Sequence, residues 1–478
     1  MKTIIHFTLL VASVVAGHVG PVFAQEVSIP DPGLNAAIRD ALQKPSGPLT
    51  QQDLLSLTNL NASSRNISNI VGLEAARNLV SLNLQINRLA SFSLPNTLTS
   101  LGFLDLGFNG LTNISLPSGL TNLTRLVIRG NRTLTDLNLP PGLTALETLE
   151  IDNNLLLHVT LPVGMKSLLS LHLEDNELSS LSLPAGMTNL TDLSLRQNHL
   201  DSLALPADLA KLPFLDLEGN RLTNLTIPGS LTALTELHLA LNHFASLTLP
   251  SGLTNLDSLD LFENALTSLT LPSGLTALTN LNLGLNQLMS FTVPADATNL
   301  IVLILGCNQL TNVSLATGMR KLNALGLNEN QLTRLDLPSG LTALAFITVR
   351  DNQLTNITLP PDVQQLIGLF AAENPLTTFV LSEPLAATNL ADTVAALRNQ
   401  GVSVFTYPLA VRLASPFRTA SDAVEFSLTG PPGIYAVQSS TNLAAWRELG
   451  TTTNKFGSAV FADVQANLSP RKFYRARR

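Results

Sequence analysis

Leucine returns along this chain at a fixed spacing, and the polar residues between follow the same beat. The stretch 253–274, LTNLDSLDLFENALTSLTLPSG, shows one unit of 22 residues. Leu256, Leu259, Leu261 and Leu266 frame a single asparagine, Asn264. Leu259-x-Leu261 alternates with period two. It predicts a short strand with leucine inward and Ser258, Asp260 and Phe262 outward. Leu269-x-Leu271 alternates again and predicts a second extended segment on the opposite side. Pro272 then removes a backbone donor and stops the pairing. Glycine two residues later, as at Gly119, Gly252, Gly274 and Gly340, suits a positive-φ turn. A unit this short, with Pro and Gly there, has no room for a long helix.

The asparagine recurs at Asn87, Asn109, Asn131, Asn154, Asn176, Asn198, Asn220, Asn242, Asn264, Asn286, Asn308, Asn330, Asn352 and Asn374. Every interval is 22 residues except the 23 from Asn131 to Asn154, which puts one extra residue at Arg132-Thr133. At the turn after each strand, the amide is expected to satisfy backbone groups of its own and adjacent coils. A buried amide left unfilled costs roughly 1–3 kcal/mol, so one residue type should persist there. The pattern L-x-x-L-x-L-x-x-N-x-L resembles the leucine-rich repeat. The resemblance implies a repeat solenoid of about 15 coils with a parallel β-sheet on its concave face.

The ends depart from the repeat. Residues 1–24 read as a signal peptide: Lys2, an apolar run from Ile4 to Ala16, and Val22-Phe23-Ala24 before the cleavage point. No transmembrane segment is expected after cleavage. Residues 25–75 read as an N-terminal cap and a degenerate first repeat. Leu34, Ile38 and Leu42 lie at helical spacing after Pro32. Thr50-x-x-Asp53 has the form of a capping box. Arg65 stands where the ladder asparagine belongs. The stretch DLLSLTNLNASSRNISNIVGLEAARNLVSLNL resembles the start of the repeat region in internalin-like bacterial surface proteins. That resemblance implies a secreted bacterial origin and an adhesive or interaction role. The array proper is 76–384. Residues 385–410 read as a closing helical cap with a last strand, VSVFTY. In 411–478 the ladder is gone, and short runs separated by turn residues predict a small all-β, sandwich-like module. GIYAVQSSTNLAAWRELG with the terminal FYRARR resembles C-terminal modules of secreted bacterial proteins.

Composition narrows the function classes. The formal net charge is −7, but 411–478 carries nine Lys or Arg against four Asp or Glu. Lys2 is the one charge in the leader, so residues 25–410 stand at −13. An acidic body argues against nucleic acid as partner. The lone cysteine, Cys307, excludes a disulfide within the chain and paired-cysteine metal sites. No motif for nucleophilic, metal-assisted or phosphate chemistry is present, so no catalytic residue, metal or cofactor is expected; calcium at Glu150, Asp152 and Glu174, on neighbouring coils, is the alternative left open, with Arg129 and Arg196 nearby against it. Sequences of the N-x-S/T type, such as Asn122 and Asn189, follow from the repeat unit.

The informative positions are the outward residues of each L-x-L. From Asp105 to Asp260 they form a mostly acidic stripe: Asp105, Glu150, Asp152, Glu174, Asp192, Asp216, Glu218, Glu236 and Asp260, with His172 among them and Arg125, Arg129 and Arg196 breaking it. From 280 to 372 they are neutral and partly apolar. Phe262, Val302, Ile304, Phe346 and Phe370 are the apolar contact candidates. The expected function is non-catalytic binding of a protein partner on the concave face, outside the cytoplasm, at the cell surface or secreted. The alternatives are a structural envelope or matrix protein without a discrete partner, or polysaccharide binding. The composition and spacing leave the oligomeric state open.

Overall fold

The computed structural model describes residues 25–421, 423–466 and 471–478. The signal-peptide reading of 1–24 lies outside the described residues. The outward-facing L-x-L segments form one 15-stranded parallel sheet, from Asn59–Asn61 to Gly368–Phe370. Each strand is three residues long and pairs with the next coil one repeat away, as Ser258↔Asn280, Leu259↔Leu281 and Asp260↔Asn282. The opposite side carries three-residue strands too, such as Ser180–Ser182 and Ser202–Ala204. These pair only in short groups. Leucines from both sides meet in one continuous apolar core.

The ladder asparagines hold the turns. Asn264 Nδ2 donates to Leu239 O (3.0 Å), Leu261 O (3.2 Å) and Phe262 O (3.3 Å). Its Oδ1 accepts the N–H of Phe244 at 3.1 Å. Both ends of one amide thus serve two neighbouring coils, which is why the residue type persists. A second, broken ladder runs on the far side of the strands. Asn122 Nδ2 donates to Thr99 O at 3.1 Å and Asn189 Nδ2 to Lys166 O at 2.8 Å. These amides are structural donors.

The extra residue sits where the asparagine spacing put it. Leu134 takes the inward place that the second residue after asparagine takes elsewhere. Thr133 Oγ1 donates to Leu111 O at 2.9 Å, where other coils use a backbone N–H, as Glu177 N does to Leu156 O. Asn154 Nδ2 bonds only within its own coil, to Ile151 O and Asp152 O.

At the N-terminal end, helix α1 (Pro32–Leu42) and helix α2 (Gln51–Leu55) cover the first coil. Thr50 and Asp53 form the capping box of α2. Asp31 caps α1 through Leu34 N (3.0 Å) and also accepts Ser68 N (2.8 Å), tying the cap to the first coil. Arg65 donates its backbone N–H to Asn87 Oδ1 and pairs its guanidinium with Asp40 of α1. At the other end, helices α3 (Glu383–Ala387) and α4 (Ala391–Asn399) lead to the last strand, Ser403–Tyr407. Helix α3 was not expected: Ser382 caps it and Pro384 stands in its first turn. Gly252 corrects one turn expectation. Gly119, Gly274 and Gly340 adopt positive φ, whereas Gly252 does not.

The C-terminal module has two three-stranded antiparallel sheets. One orders Arg412–Arg418, Val424–Thr429 and Ser458–Asp463; the other orders Arg447–Asn454, Gly433–Ser440 and Phe473–Arg477. The Arg412–Arg418 strand escaped the pattern because Pro416 interrupts it. The register shifts between Ala414 and Phe417, on an edge strand where a missing donor is tolerated.

Candidate functional site: the concave face

Because leucine occupies the inward positions, the alternate residues of the 15-stranded sheet must face out. Asp105, Glu150, His172, Asp192, Asp216, Glu236, Asp260, Ile304 and Phe346 lie on these strands. Arg129, Asp152, Glu174, Arg196, Glu218 and Phe262 follow two residues after their strands' central outward residues. The sheet therefore places all fifteen on one side, but it does not make them one cluster.

The acidic stretch is internally bonded to different degrees. Asp105 and Asp216 are only 8% exposed. Asp105 Oδ1 accepts Gly107 N at 2.8 Å, Asp216 Oδ1 accepts Glu218 N at 2.9 Å, and Asp260 Oδ1 accepts Phe262 N at 2.9 Å. These three carboxylates brace the backbone where it leaves the strand. Burial pushes the Asp105 carboxyl up, against the Gly107 N–H and the Arg129 charge that favour its ionised form. Glu150 is taken up by two arginines: Arg125 Nη2 at 2.7 Å and Arg129 Nη1 at 3.6 Å. The same arginines lie over Phe103 and Phe108, at 6.0 and 5.7 Å from the ring centroids. Arg196 pairs with Glu218 at 3.0 Å.

A second group centres on His172. Its Nε2 lies 2.9 Å from Asp192 Oδ2 and its Nδ1 3.6 Å from Glu174 Oε1. The Asp192 bond raises the imidazole pKa above its ordinary value, and the same bond lowers Asp192. Glu174 is raised by burial, and its Oε2 is buried without a hydrogen-bond partner. His238 packs edge-on against Phe214 at 5.2 Å and lies 3.4 Å from Glu236. Among the described residues no group of three or more His, Cys, Asp or Glu has the arrangement of a metal site.

The neutral stretch has a different construction, built on glycine. A methyl placed on Gly284 would come within 3.3 Å of Phe262 Cδ2, one on Gly326 within 3.2 Å of Ile304 Cδ1, and one on Gly368 within 2.9 Å of Phe346 Cδ1. Each large side chain thus lies across a glycine one coil further on. The three occupy the third, second and first outward positions of alternate coils, so they form a diagonal across the sheet. Each step spans two coils and two residues, about 12 Å. Phe346 stays 42% exposed and Phe370, beside it over Gly368, 58%. Ile301 and Ile367 extend the apolar surface to the sheet's margin. They precede the L-x-L positions, so the strand alternation gave no sign of them.

Cys307, just before a ladder asparagine, has φ 57°. Burial and then Glu329 raise its thiol pKa, which disfavours the reactive thiolate. Among the described residues no helix is long and apolar enough to cross a membrane.

Comparison with known proteins bears on the array. No curated protein matches the chain. Among solved structures, it is similar to an internalin (inlF) from Listeria monocytogenes, with 22% identity, TM-score 0.45, and coverage of 79% of this chain and 95% of that one. It is also similar to the functional domain of InlJ from Listeria monocytogenes: 18% identity, TM-score 0.42, coverage 85% and 96%. YopM from Yersinia pestis, a leucine-rich effector protein, gives 24% identity, TM-score 0.46, and coverage of 72% and 88%. The family model for the BspA type leucine-rich repeat region matches residues 83–175, 172–284 and 304–389, more than half of the chain. The chain therefore belongs to the BspA type leucine-rich repeat family.

Proposed function

We propose that this is a non-catalytic bacterial binding protein that holds a protein partner on its concave face, outside the cytoplasm. The observation that carries the reading is the diagonal of Phe262, Ile304 and Phe346. Large apolar side chains on a solvated sheet face stay unfavourably hydrated until something covers them, and here glycines hold them flat and already placed. A surface organised before binding loses little conformational freedom when a partner arrives. The acidic stretch beside it steers a basic partner and adds charged contacts to the same face. The export half of the reading rests on Lys2, the apolar run after it and Val22-Phe23-Ala24.

The test uses the full mature chain as bait in culture and host extracts. A partner captured by the wild type should be lost, or weakened about tenfold or more, in the Ile304→Ser, Phe346→Ser double variant. The Thr226→Lys, Ser246→Lys variant, altered on the opposite face, should retain it. Retention by the first variant and loss by the second would place binding on the other side of the solenoid.

A further inference from the structure

The charge of the chain is divided between two surfaces that cannot meet within one copy. In the C-terminal module, Arg412–Arg418 and Phe473–Arg477 are outer strands of their respective sheets, and they lie against each other. These two neighbouring strands carry Arg412, Arg475 and Arg477. Arg412 and Arg477 are exposed and have no ion pair among the described residues. Arg475 lies 4.1 Å over the Trp446 ring and donates to Gln438. Phe417, 55% exposed, adds an apolar side chain to the Arg412–Arg418 strand.

The opposite charge lies on the concave coils from Thr148 to Phe262. Their outward positions hold eight carboxylates and one arginine. Glu150 and Glu218 are already paired with arginines; Glu174, Asp192 and Glu236 lie against His172 and His238, and Asp216 and Asp260 each accept a backbone N–H, so no full positive charge offsets these five or Asp152 at ordinary pH. Nor can the module of the same chain reach them. It is packed on the last coils: Phe405 stacks on Phe456 at 4.8 Å, and Gly457 has no room for a side chain against Thr406 and Tyr407. From the Gly368–Phe370 strand back to Glu236–His238 is six coils, about 29 Å. That exceeds the screening length of about 8 Å at physiological salt several times over.

We propose that the basic strand pair of one copy's C-terminal module docks into the acidic part of a second copy's concave face. The inference rests on the concave face being the binding surface and names its occupant as another copy of this chain. Donor and acceptor surfaces differ, so the contact is heterologous and leaves one of each free. Copies would then add head to tail. An interface of this charge character should weaken steeply with salt.

Sedimentation velocity on the full mature chain tests it, with thermal melts as the check on folding. The wild type should gain mass with concentration at low salt and sediment as a monomer at about 0.5 M salt. Two variants are made: Asp192→Lys with Glu236→Lys, and Arg412→Glu with Arg477→Glu. Each alone should stay monomeric, because each lacks one half of the contact. Mixed in equal amounts they should form a one-to-one dimer, since each supplies the half the other lacks. If the concave double reversal unfolds, Asp192→Asn with Glu236→Gln replaces it in the same mixture. A wild type that stays monomeric at low salt overturns the proposal, as does a mixture that fails to pair. Loss of a captured partner in the Ile304→Ser, Phe346→Ser variant would still support concave binding in that case, so the two readings fail separately.

Discussion

The residue before each of the fourteen ladder asparagines is left-handed, as is Ser64 before Arg65 in the first coil, and only Gly130 and Gly219 are glycine there. The left-handed region costs a residue with a Cβ about 1–2 kcal/mol, most for a β-branched one. Ile86, with φ 57° and 54% exposed, has little burial to offset that cost. Ile86→Gly should raise stability by about 1 kcal/mol, read as a higher denaturant midpoint. The His172–Asp192 bond gives a pH signature. A raised His172 contributes stability that is full below its unfolded pKa and lost as pH rises through its folded value. A lowered Asp192 contributes stability that is full above its unfolded pKa and lost as pH falls through its folded value. The pair should therefore support the array most between about pH 4 and 6.5. In an NMR titration, His172 should titrate above the ordinary histidine range and drop towards it in Asp192→Asn. The leucines and asparagines were legible because one residue type repeats at each. The left-handed turn was not, because Ile, Phe, Asp, Gln, Leu, Cys and Glu all occupy it. Nor were the backbone bonds of Asp105, Asp216 and Asp260: a bonded aspartate and a free one read the same in a string of letters.

Elements of three residues were legible from alternation alone, since each buries one leucine between two outward neighbours. Interruptions hid what lay around them. Helix α3 was obscured by its length of five residues, too short for a helical period to show. The inserted residue was legible as a number, but its consequence was not. It leaves Asn154 Nδ2 without a bond to the preceding coil, while Thr133 Oγ1 covers Leu111 O. Deleting Arg132 should restore the 22-residue spacing and bring Asn154 Nδ2 to Ile128 O, as Asn176 Nδ2 reaches Ile151 O at 3.0 Å. The expected gain is about 1 kcal/mol, seen as a higher midpoint in chemical denaturation. A loss would show that the loop at Arg132-Thr133 is itself a required element.

At the scale of the whole molecule, the same scaffold carries two kinds of surface. Neighbouring coils share the leucines of the strand and the ladder asparagine while their outward positions vary, so charge and apolar contact can change along the sheet without disturbing the core. The acidic coils end at Asp260 and the glycine-seated diagonal begins two residues later, at Phe262. That boundary was readable from the letters; the seating of Phe262, Ile304 and Phe346 over Gly284, Gly326 and Gly368 needed the three-dimensional register. The opposite face offers a built-in control, because Asp136, Asp201 and Asp336 are exposed there. Carboxyl footprinting of the full chain, alone and with a captured partner, tests concave binding most directly. Binding on the concave face predicts that Asp192, Glu236 and Asp260 lose labelling in the complex while Asp136, Asp201 and Asp336 label as before. Protection of the second set with the first unchanged would contradict it.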